Sequence, residues 1–572
     1  MKRLFPYIKP YGWFIILTLA IKFAATSMEL AIPSLMQTMI DEKVPEGRLL
    51  PIFVLGGLML LCAAAGLTGN ILANRMSAQS AGKITRKLRH DLFAKLENLS
   101  ARQMDELTVS SAVSRLTSDS YNFNQMLARI QRMGIRAPIL LIGGIGMMLM
   151  KDWVLALVLI TLLPIISFAV YTTTKKALPL RFRAQEHLDD MVQVSQENIT
   201  GIRVIKALSK TEHERKRFDS VNTNLSLTTL KADMYTIISN PITTILLNGG
   251  LTLVVLVGAY RVNSDAIKPG VIIAFLQYFN MILMATMGIT RIFIMWAKGE
   301  ASAQRIAQVL DTQPELETQP AEEIQTDAAH IEFKNVTFSY TGVGTNLEDV
   351  SFRLEHGQTL GILGPTGSGK STIINLLLRF YDPDAGQVLL DGQDIRTIDY
   401  DTLRKKFGVV FQNDFVAEGT IADNIRFFRE IDAVALEKAA QNAQAEFIRE
   451  KDGQMEATVA VRGNNLSGGQ KQRLLIGRAL AADPEILILD DASSALDYQT
   501  DANLRRALRE NYRHTTTVMV AQRISSLRHA DLILVLEDGN VIGAGKHEQL
   551  MESCEEYRII AETQMGEGKE EV

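Results

Sequence analysis

Gly364-Pro365-Thr366-Gly367-Ser368-Gly369-Lys370-Ser371 fits the spacing G-x-x-x-x-G-K-[ST] of a phosphate-holding loop. The run Thr359 to Leu363 before it reads as a strand, and the run Ser371 to Phe380 after it reads as a helix. In that context the glycines let backbone N–H groups turn inward as an anion nest, and the helix presents its positive N-terminus. Lys370 adds a point charge and Ser371 offers a hydroxyl to Mg²⁺. The stretch therefore predicts binding of ATP with Mg²⁺.

The chain is far oilier before that loop than after it. Its 572 residues exceed what one hydrophobic core sustains, so several domains are expected. Hydrophobic residues make up 47% and charged residues 22%, with a net charge of −4. Such a balance gives no overall basic field, and no basic and aromatic interleaving offers a base-stacking surface, so no nucleic-acid partner is expected. Cys62 and Cys554 have no spacing for zinc or for a disulfide framework. Met1 to Pro10 is basic but has no short apolar core with a small-residue cleavage site, so no removable signal peptide is expected.

Apolar stretches fall at about Trp13 to Ile32, Pro51 to Leu72, Pro138 to Met150, Trp153 to Val170, Pro241 to Tyr260 and Val271 to Ile289. Most approach the roughly 20 residues that carry a helix across a bilayer, and Met126 to Ile135 extends the short third one. Several have no polar face, which places them in lipid rather than in a soluble core. Six membrane spans are predicted, within a domain over residues 1–310.

Loop charge sets the orientation. The loops at about 73–136 and 174–240 carry clusters of Lys and Arg, among them Lys83, Arg86, Arg89, Lys175, Arg183 and Arg215, and are predicted to be cytoplasmic. The alternate loops, Asp41 to Arg48, Lys151-Asp152 and Arg261 to Lys268, are short, so both termini lie inside. Ile84, Leu88, Leu92 and Leu96 recur at helical steps, as do Ile202, Ile205 and Leu208. The spans should continue into the cytoplasm as stalks, with Leu96 to Leu107 and Gly201 to Leu208 as contact elements for the ATP-handling half.

Lys22 and Glu29 stand two turns apart on one face of the first span. Charges there face a cavity or each other, or Lys22 snorkels or meets a neighbouring carbonyl. On the sixth span Phe275, Tyr278, Phe279, Met281, Met284 and Met287 offer either an adaptable apolar surface or ordinary helix packing.

A polar linker, Asp311 to Ala329, precedes a change to short strands at His330, and Ile331 to Phe338 alternates strictly. An α/β phosphate-loop domain is predicted over residues 330–565, with an acidic tail at 566–572. It contains a run ending Val409-Val410-Phe411-Gln412, the pentad Leu466-Ser467-Gly468-Gly469-Gln470, and the apolar strand Ile486-Leu487-Ile488-Leu489-Asp490-Asp491, whose terminal carboxylates suit a Mg²⁺ partner.

Taken in order behind six spans, Tyr340, Gly364 to Thr372, Gln412, Leu466 to Gln470, Asp490 and Ser494-Ala495-Leu496-Asp497 resemble an ATP-binding-cassette (ABC) exporter half-transporter. Ser114 to Asp119 and Gly201 to Ala207 also resemble that family's cytoplasmic loops. The resemblance implies a dimer of two half-transporters, each ATP lying between one chain's phosphate loop and the other's pentad. Tyr340 would stack on adenine; Thr366, Gly367, Ser368, Gly369, Lys370, Ser371 and Thr372 would hold the phosphates. Ser371, Gln412 and Asp490 would serve Mg²⁺, Asp490 through water. Ser467, Gly468, Gly469, Gln470 and Asp497 would face the partner's ATP.

Two residues depart from the family's pattern. Its general-base Glu is here Asp491, and its switch His is here Gln522. Asp withdraws the carboxylate by roughly 1 Å, and a misplacement of that order costs about 10²-fold in rate. Gln keeps a hydrogen bond but does not titrate, and loss of a positioned acid or base costs about 10² to 10⁴-fold. Asp491, Gln522 and Gln412 thus make up a catalytic set expected to bind ATP and cleave it slowly. Ala460-Val461-Arg462-Gly463, where relatives often carry Gly-Glu-Arg-Gly, also lacks an acidic residue near the membrane contacts. With the pentad intact, the expectation is a heterodimer with a second, non-identical ABC half-transporter, exporting amphipathic small molecules across the inner (plasma) membrane. A homodimeric lipid or peptide exporter, and a nucleotide-gated membrane switch that pumps nothing, are the competing readings.

Overall fold

The computed structural model of the chain describes residues 2–313, 315, 316, 318–320, 328–412 and 415–566. Most of the predicted linker (321–327) and nearly all of the acidic tail (567–572) lie outside the described residues. The chain divides into two compact units, one of residues 1–95 and 110–312, the other of residues 96–109 and 313–572.

The first unit is entirely helical. Its main helices are Gly12–Thr38, Leu49–Glu97, Ser120–Met133, Gly144–Lys151, Trp153–Thr200, Thr211–Asn263 and Pro269–Asp311. Five stretches are long and apolar enough to cross a membrane: Phe5–Lys43, Leu49–Glu97, Val109–Lys151, Thr244–Asn263 and Pro269–Asp311. The predicted fourth span lies in the helix Trp153–Thr200, whose segment Trp153–Leu162 is a shorter apolar helix. Phe53, Leu60 and Leu61 are about 70% exposed, which an apolar helix tolerates only against lipid.

The helices outrun the apolar stretches, as their three- and four-residue periodicity predicted. Leu49–Glu97 has 49 residues and buries Ile84, Leu88 and Leu92 completely. The third passage is less continuous than expected: a turn at Gly134 and Ile135 and a π-helical segment, Ile139–Gly143, interrupt it. Phe275, Tyr278 and Phe279 are fully buried in helix packing, the Tyr278 hydroxyl donating to the Leu30 carbonyl at 3.1 Å, so these aromatics are interior and not an open ligand surface. Met284 is 74% exposed, and the Met287 side chain lies outside the described residues.

The second unit is α/β. Its strands are β1 (Ile331–Phe338), β2 (Leu347–Leu354), β3 (Thr359–Leu363), β4 (Ala385–Leu390), β5 (Gln393–Asp394), β6 (Phe407–Val410), β7 (Gly419–Thr420), β8 (Thr458–Val459), β9 (Ile486–Asp490), β10 (Thr516–Val520), β11 (Leu532–Glu537) and β12 (Asn540–Gly545). A six-stranded sheet has the order β12-β11-β3-β10-β9-β6, and a four-stranded antiparallel sheet the order β2-β1-β4-β5. β9 is buried at all five residues, as expected of a strand covered on both faces of a parallel sheet. β1 does not alternate strictly: Ile331, Glu332 and Phe333 are all buried, and the register shifts near Asn335, which has a left-handed φ of +48°. The four-stranded sheet packs one face into the same core as β3 and β9, and on the other face Glu332 is held by Lys334 at 3.3 Å and Arg353 at 3.6 Å.

The short helix Ala101–Leu107 belongs to this second unit. Ser100 and Gln103 form a capping box at its start. Ala101 packs against the cassette core, Arg102 pairs with Glu315 at 3.4 Å, and the Tyr381 hydroxyl donates to Asp105 at 2.7 Å. The second predicted contact element forms the helix Ile202–Ala207, with Ile202, Val204 and Leu208 exposed.

Candidate nucleotide site

β3 ends at Leu363 and delivers the chain into the loop 364–369, from which the helix Lys370–Leu377 departs. A side chain at Gly364 would place its Cβ 2.3 Å from the Leu536 carbonyl oxygen. Gly369 sits at φ +101°, where a Cβ would also meet the Asn346 carbonyl at 2.8 Å. Lys370 folds back over the loop, its Nζ donating to the carbonyls of Gly364 at 2.9 Å and Pro365 at 2.6 Å. Burial pushes the Lys370 ammonium below its ordinary pKa, against the opposing pull of Asp490 and Asp491.

Sheet order brings the carboxylates to the same place. β10 lies between β3 and β9, with Val520 in register with both Ile362 and Asp490. Asp490 is buried, and the Ser371 hydroxyl donates to its Oδ2 at 3.3 Å. Burial raises the pKa of Asp490, with Asp491 adding to the shift and Ser371 and Lys370 opposing it. Burial also raises Asp491, against Lys370 and Arg523. Asp491 itself has a left-handed φ of +51°, and its N–H donates to the Val520 carbonyl at 3.0 Å. Gln522, two residues past β10, donates Nε2–H to Asp491 Oδ2 at 3.3 Å. Gln412, two residues past β6, is exposed next to the end of β9, since Val410 pairs with Leu489.

The chemistry of this donor set suits a triphosphate and Mg²⁺. Ser368 Oγ is buried without a hydrogen-bond partner among the described residues, facing the loop. Two adjacent carboxylates held above their usual pKa by burial are what a divalent cation relieves. Thr366 and Gly367 are exposed at the tip of the loop, and Thr372 is buried on the helix. The Tyr340 hydroxyl accepts from Asn375 Nδ2 at 2.9 Å and lies 3.4 Å from Thr372 Oγ1, while Phe338 and Tyr381 hold its ring edge-on at 4.9 and 5.0 Å.

The pentad stands apart from this cluster. Ser467 caps the helix Gly468–Leu480, its Oγ accepting from the Gln470 N–H while Gln470 Oε1 accepts from the Ser467 N–H. Gly469 lies against the Ala495 carbonyl, where a Cβ would come within 3.1 Å. Asp497 caps the next helix, Tyr498–Asn511, with both carboxylate oxygens taken by Thr500. Gln470 and Asp497, expected to face a nucleotide, thus spend their side chains on helix caps. No hydrogen bond joins the pentad to the phosphate loop among the described residues. Asn375 and Gln564, the latter donating to the Gln522 carbonyl at 2.8 Å, escaped the sequence reading because no motif spacing marks them.

In the first unit, Lys22 is 3% exposed and donates to Asn70 at 2.5 Å and Asn74 at 3.2 Å. Asn70 in turn donates to Glu29 at 2.6 Å, and Arg136 pairs with Glu29 at 3.0 Å. Of the first span's two charges, Glu29 is paired with Arg136 and Lys22 is satisfied by amide oxygens, with Asn70 bridging the two. Arg136 also lines a cavity of about 300 Å³ with Met133, Leu140, Met284 and Arg291.

Residues 15–287 match the family model described as ABC transporter transmembrane region, and residues 347–494 match that described as ABC transporter. The chain belongs to the ABC transporter family, with the layout of an exporter half-transporter: a membrane domain followed by an ATP-binding cassette that binds ATP with Mg²⁺ and couples its hydrolysis to transport. Among relatives, it is 34% identical to an uncharacterized ABC transporter ATP-binding protein, YfiB, of Bacillus subtilis over all of both chains. It is 30% identical to an ATP-dependent lipid A-core flippase of Vibrio cholerae, over 99% of this chain and 98% of that one. The structure of a bacterial Atm1-family ABC exporter with ATP bound has the same fold, with a TM-score of 0.80 at 24% identity, over 97% of this chain and 98% of that one.

Proposed function

We propose that this chain is one half of a heterodimeric, ATP-driven exporter of amphipathic small molecules of the multidrug type, and that it supplies an ATP site which holds nucleotide and cleaves it slowly. The observation that carries the reading is the contact between Gln522 and Asp491. The shorter carboxylate is anchored to an amide that neither titrates nor carries charge, and its backbone is fixed in a left-handed conformation. Lys370 and the backbone N–H groups of residues 366–369 hold the phosphates; Tyr340 lies beside the adenine; Ser371, Gln412 and Asp490 serve the Mg²⁺. Bound ATP supplies the charge that joins two cassettes. Ser467 to Gly469, at the exposed start of their helix, are presented to the partner's nucleotide. Gln470 and Asp497 support that surface by capping, and exposed Ile202, Val204 and Leu208 suit cover by a second half-transporter.

The cavity beside Arg136 and Arg291, walled by methionines and Leu140, suits a cargo with an apolar body and a polar end. The basic loops favour a cytoplasmic position for both termini and the cassette, at the inner (plasma) membrane. The identity to lipid A-core flippases favours a second reading, a homodimeric lipid exporter.

ATP hydrolysis by the copurified pair decides between them. Asp491→Asn is expected to leave turnover within about 3-fold of the unaltered pair, whereas neutralising the partner's general base removes about 10² or more. Equal losses at both positions, or brisk transport by this chain alone, overturn the proposal.

A further inference from the structure

The strands whose carboxyl ends build the nucleotide site have their amino ends at the opposite pole of the cassette, and a second cluster of chemistry-bearing side chains gathers there. His330, at the start of β1, is completely buried. Its Nδ1 lies 2.6 Å from Thr516 Oγ1, at the start of β10, and that hydroxyl also accepts the Gly357 N–H at 3.0 Å. Nε2 of the same ring is buried with no hydrogen-bond partner among the described residues. Either tautomer leaves it so: a proton on Nε2 finds no acceptor, and a lone pair there finds no donor. A buried polar atom that gave up water without gaining a partner destabilises the fold.

Two further groups converge on this ring. His356, in the turn between β2 and β3, stacks on it with centroids 3.8 Å apart, and His356 Nε2 lies 2.9 Å from Asp391 Oδ1, in the turn between β4 and β5. A nitrogen of each imidazole and a carboxylate oxygen of Asp391 lie within 4.8 Å of one another. Asp391 is also fixed through its backbone, donating to the His330 carbonyl at 2.9 Å, and Lys406 stands 3.8 Å from its other oxygen.

We propose that His330, His356 and Asp391 form a binding site for a divalent transition-metal ion of the zinc class, remote from the nucleotide. Two imidazoles and a carboxylate select a borderline ion over Mg²⁺ or Ca²⁺. Three protein ligands with a water completing a tetrahedron is a common open zinc arrangement. A metal-binding histidine ordinarily gives its other ring N–H to an oxygen, the role Thr516 is placed to fill when His330 Nδ1 carries the proton. Bonds of about 2.0–2.1 Å require the ligand atoms to stand about 3.4 Å apart, so His356 tilts out of its stack, its Nε2 drawing back from Asp391 Oδ1, and Asp391 follows. Both have the freedom, with side chains 65% and 43% exposed, while buried His330 is the fixed point. The ion would clip the four-stranded sheet, through β1 and the β4–β5 turn, to the turn that opens β3 in the six-stranded sheet.

The test uses the full chain in detergent, with any purification tag removed and metals stripped by chelator, titrated with zinc chloride against a competing chromophoric chelator while the thermal midpoint is followed. One zinc per chain should bind at micromolar free zinc and raise the midpoint, with no such rise from magnesium chloride. His356→Ala and Asp391→Asn, both at accessible positions that spare the buried ring, should each weaken binding by about 10-fold or more and remove the rise. Zinc binding no tighter in the unaltered chain than in the His356→Ala, Asp391→Asn double variant overturns the proposal, as does a midpoint rise that survives in it.

Discussion

Gln522 donates its side-chain amide to the carboxylate of Asp491 across 3.3 Å, joining the two residues that differ from the exporter pattern into one pair. A histidine at Gln522 would meet the same carboxylate with a group that takes up or releases a proton; the amide offers only a fixed dipole. Burial raises the Asp491 pKa against the pull of Lys370 and Arg523, so the weakness of this pair as a general base lies in its shorter reach and its amide partner, not in the basicity of the carboxylate.

On the proposed slow-site reading, a longer carboxylate and a titrating ring at this pair should speed ATP cleavage. With the partner's own base neutralised, so that only this chain's site reports, Asp491→Glu with Gln522→His should raise phosphate release by about 10²-fold over the unaltered chain. Nucleotide affinity should stay within a few-fold, because Lys370, Ser371 and Asp490 are untouched. An unchanged rate in the double variant would show that the defect lies elsewhere.

The contact between Tyr381 and Asp105 should govern coupling rather than binding. Burial, followed by the hydrogen bond to Asp105, raises the pKa of the Tyr381 phenol, so it stays a donor throughout the working range. Hydrogen bonds to charged groups are worth about 1.5–3 kcal/mol when buried, and Asp105 is exposed, so about 1 kcal/mol is expected here. Tyr381→Phe should lower ATP-driven transport several-fold while leaving nucleotide affinity intact. Adding Asp105→Asn should cost little more, which a double-mutant cycle on transport measures.

Asp119 and Arg305 offer a pH readout in the helical unit. Arg305 Nε donates to Asp119 Oδ2 at 2.9 Å, and Nη2 reaches Oδ1. Burial works to raise the Asp119 pKa, but the Arg305 and Ser302 hydrogen bonds and nearby guanidiniums outweigh it and leave the carboxyl below its ordinary 3.8. The folded state then binds its proton less readily than the unfolded chain. The pair's stabilisation is complete above pH 3.8 and is lost only as pH falls through the depressed folded value. Asp119→Asn should therefore lower the thermal midpoint by the same amount from pH 8 to about 5, the gap closing only below about pH 4.

Within the first span, Glu29→Leu strips an acceptor from both Asn70 and Arg136. Polar contacts between membrane helices average about 0.6 kcal/mol, so losing two should cost about 1 kcal/mol, seen as faster thermal inactivation in detergent. Lys22→Met frees Asn70 and Asn74 and should cost a similar amount.

Sequence reading reached the elements whose chemistry is local. The loop 364–371, the all-apolar β9 ending in Asp490 and the stalk periodicity of Ile84, Leu88 and Leu92 each state their structure within a few residues, because backbone freedom and one-sided burial are local demands. Partners supplied by other parts of the chain left no such mark. Asn70 and Asn74, four apart on the second passage, are a polar face that reads as nothing until Lys22 stands opposite. Asp497, expected to face the partner's ATP, also caps the helix Tyr498–Asn511, a second role its spacing to Thr500 allows. Strict alternation in β1 fails at Asn335, where the register slips, and at Glu332, which is buried beside Lys334 and, on the neighbouring strand, Arg353.

Ala101, Arg102 and Asp105 fasten a few residues from the first basic loop onto a body whose remainder begins more than two hundred positions later. A fragment started at Gln313 would therefore not be a whole cassette: its core would have a window where Ala101 sits, and Tyr381 would hold out a phenol to nothing. Anyone dissecting the protein should make two cuts rather than one, or supply the missing stretch as a peptide and ask whether it mends the seam.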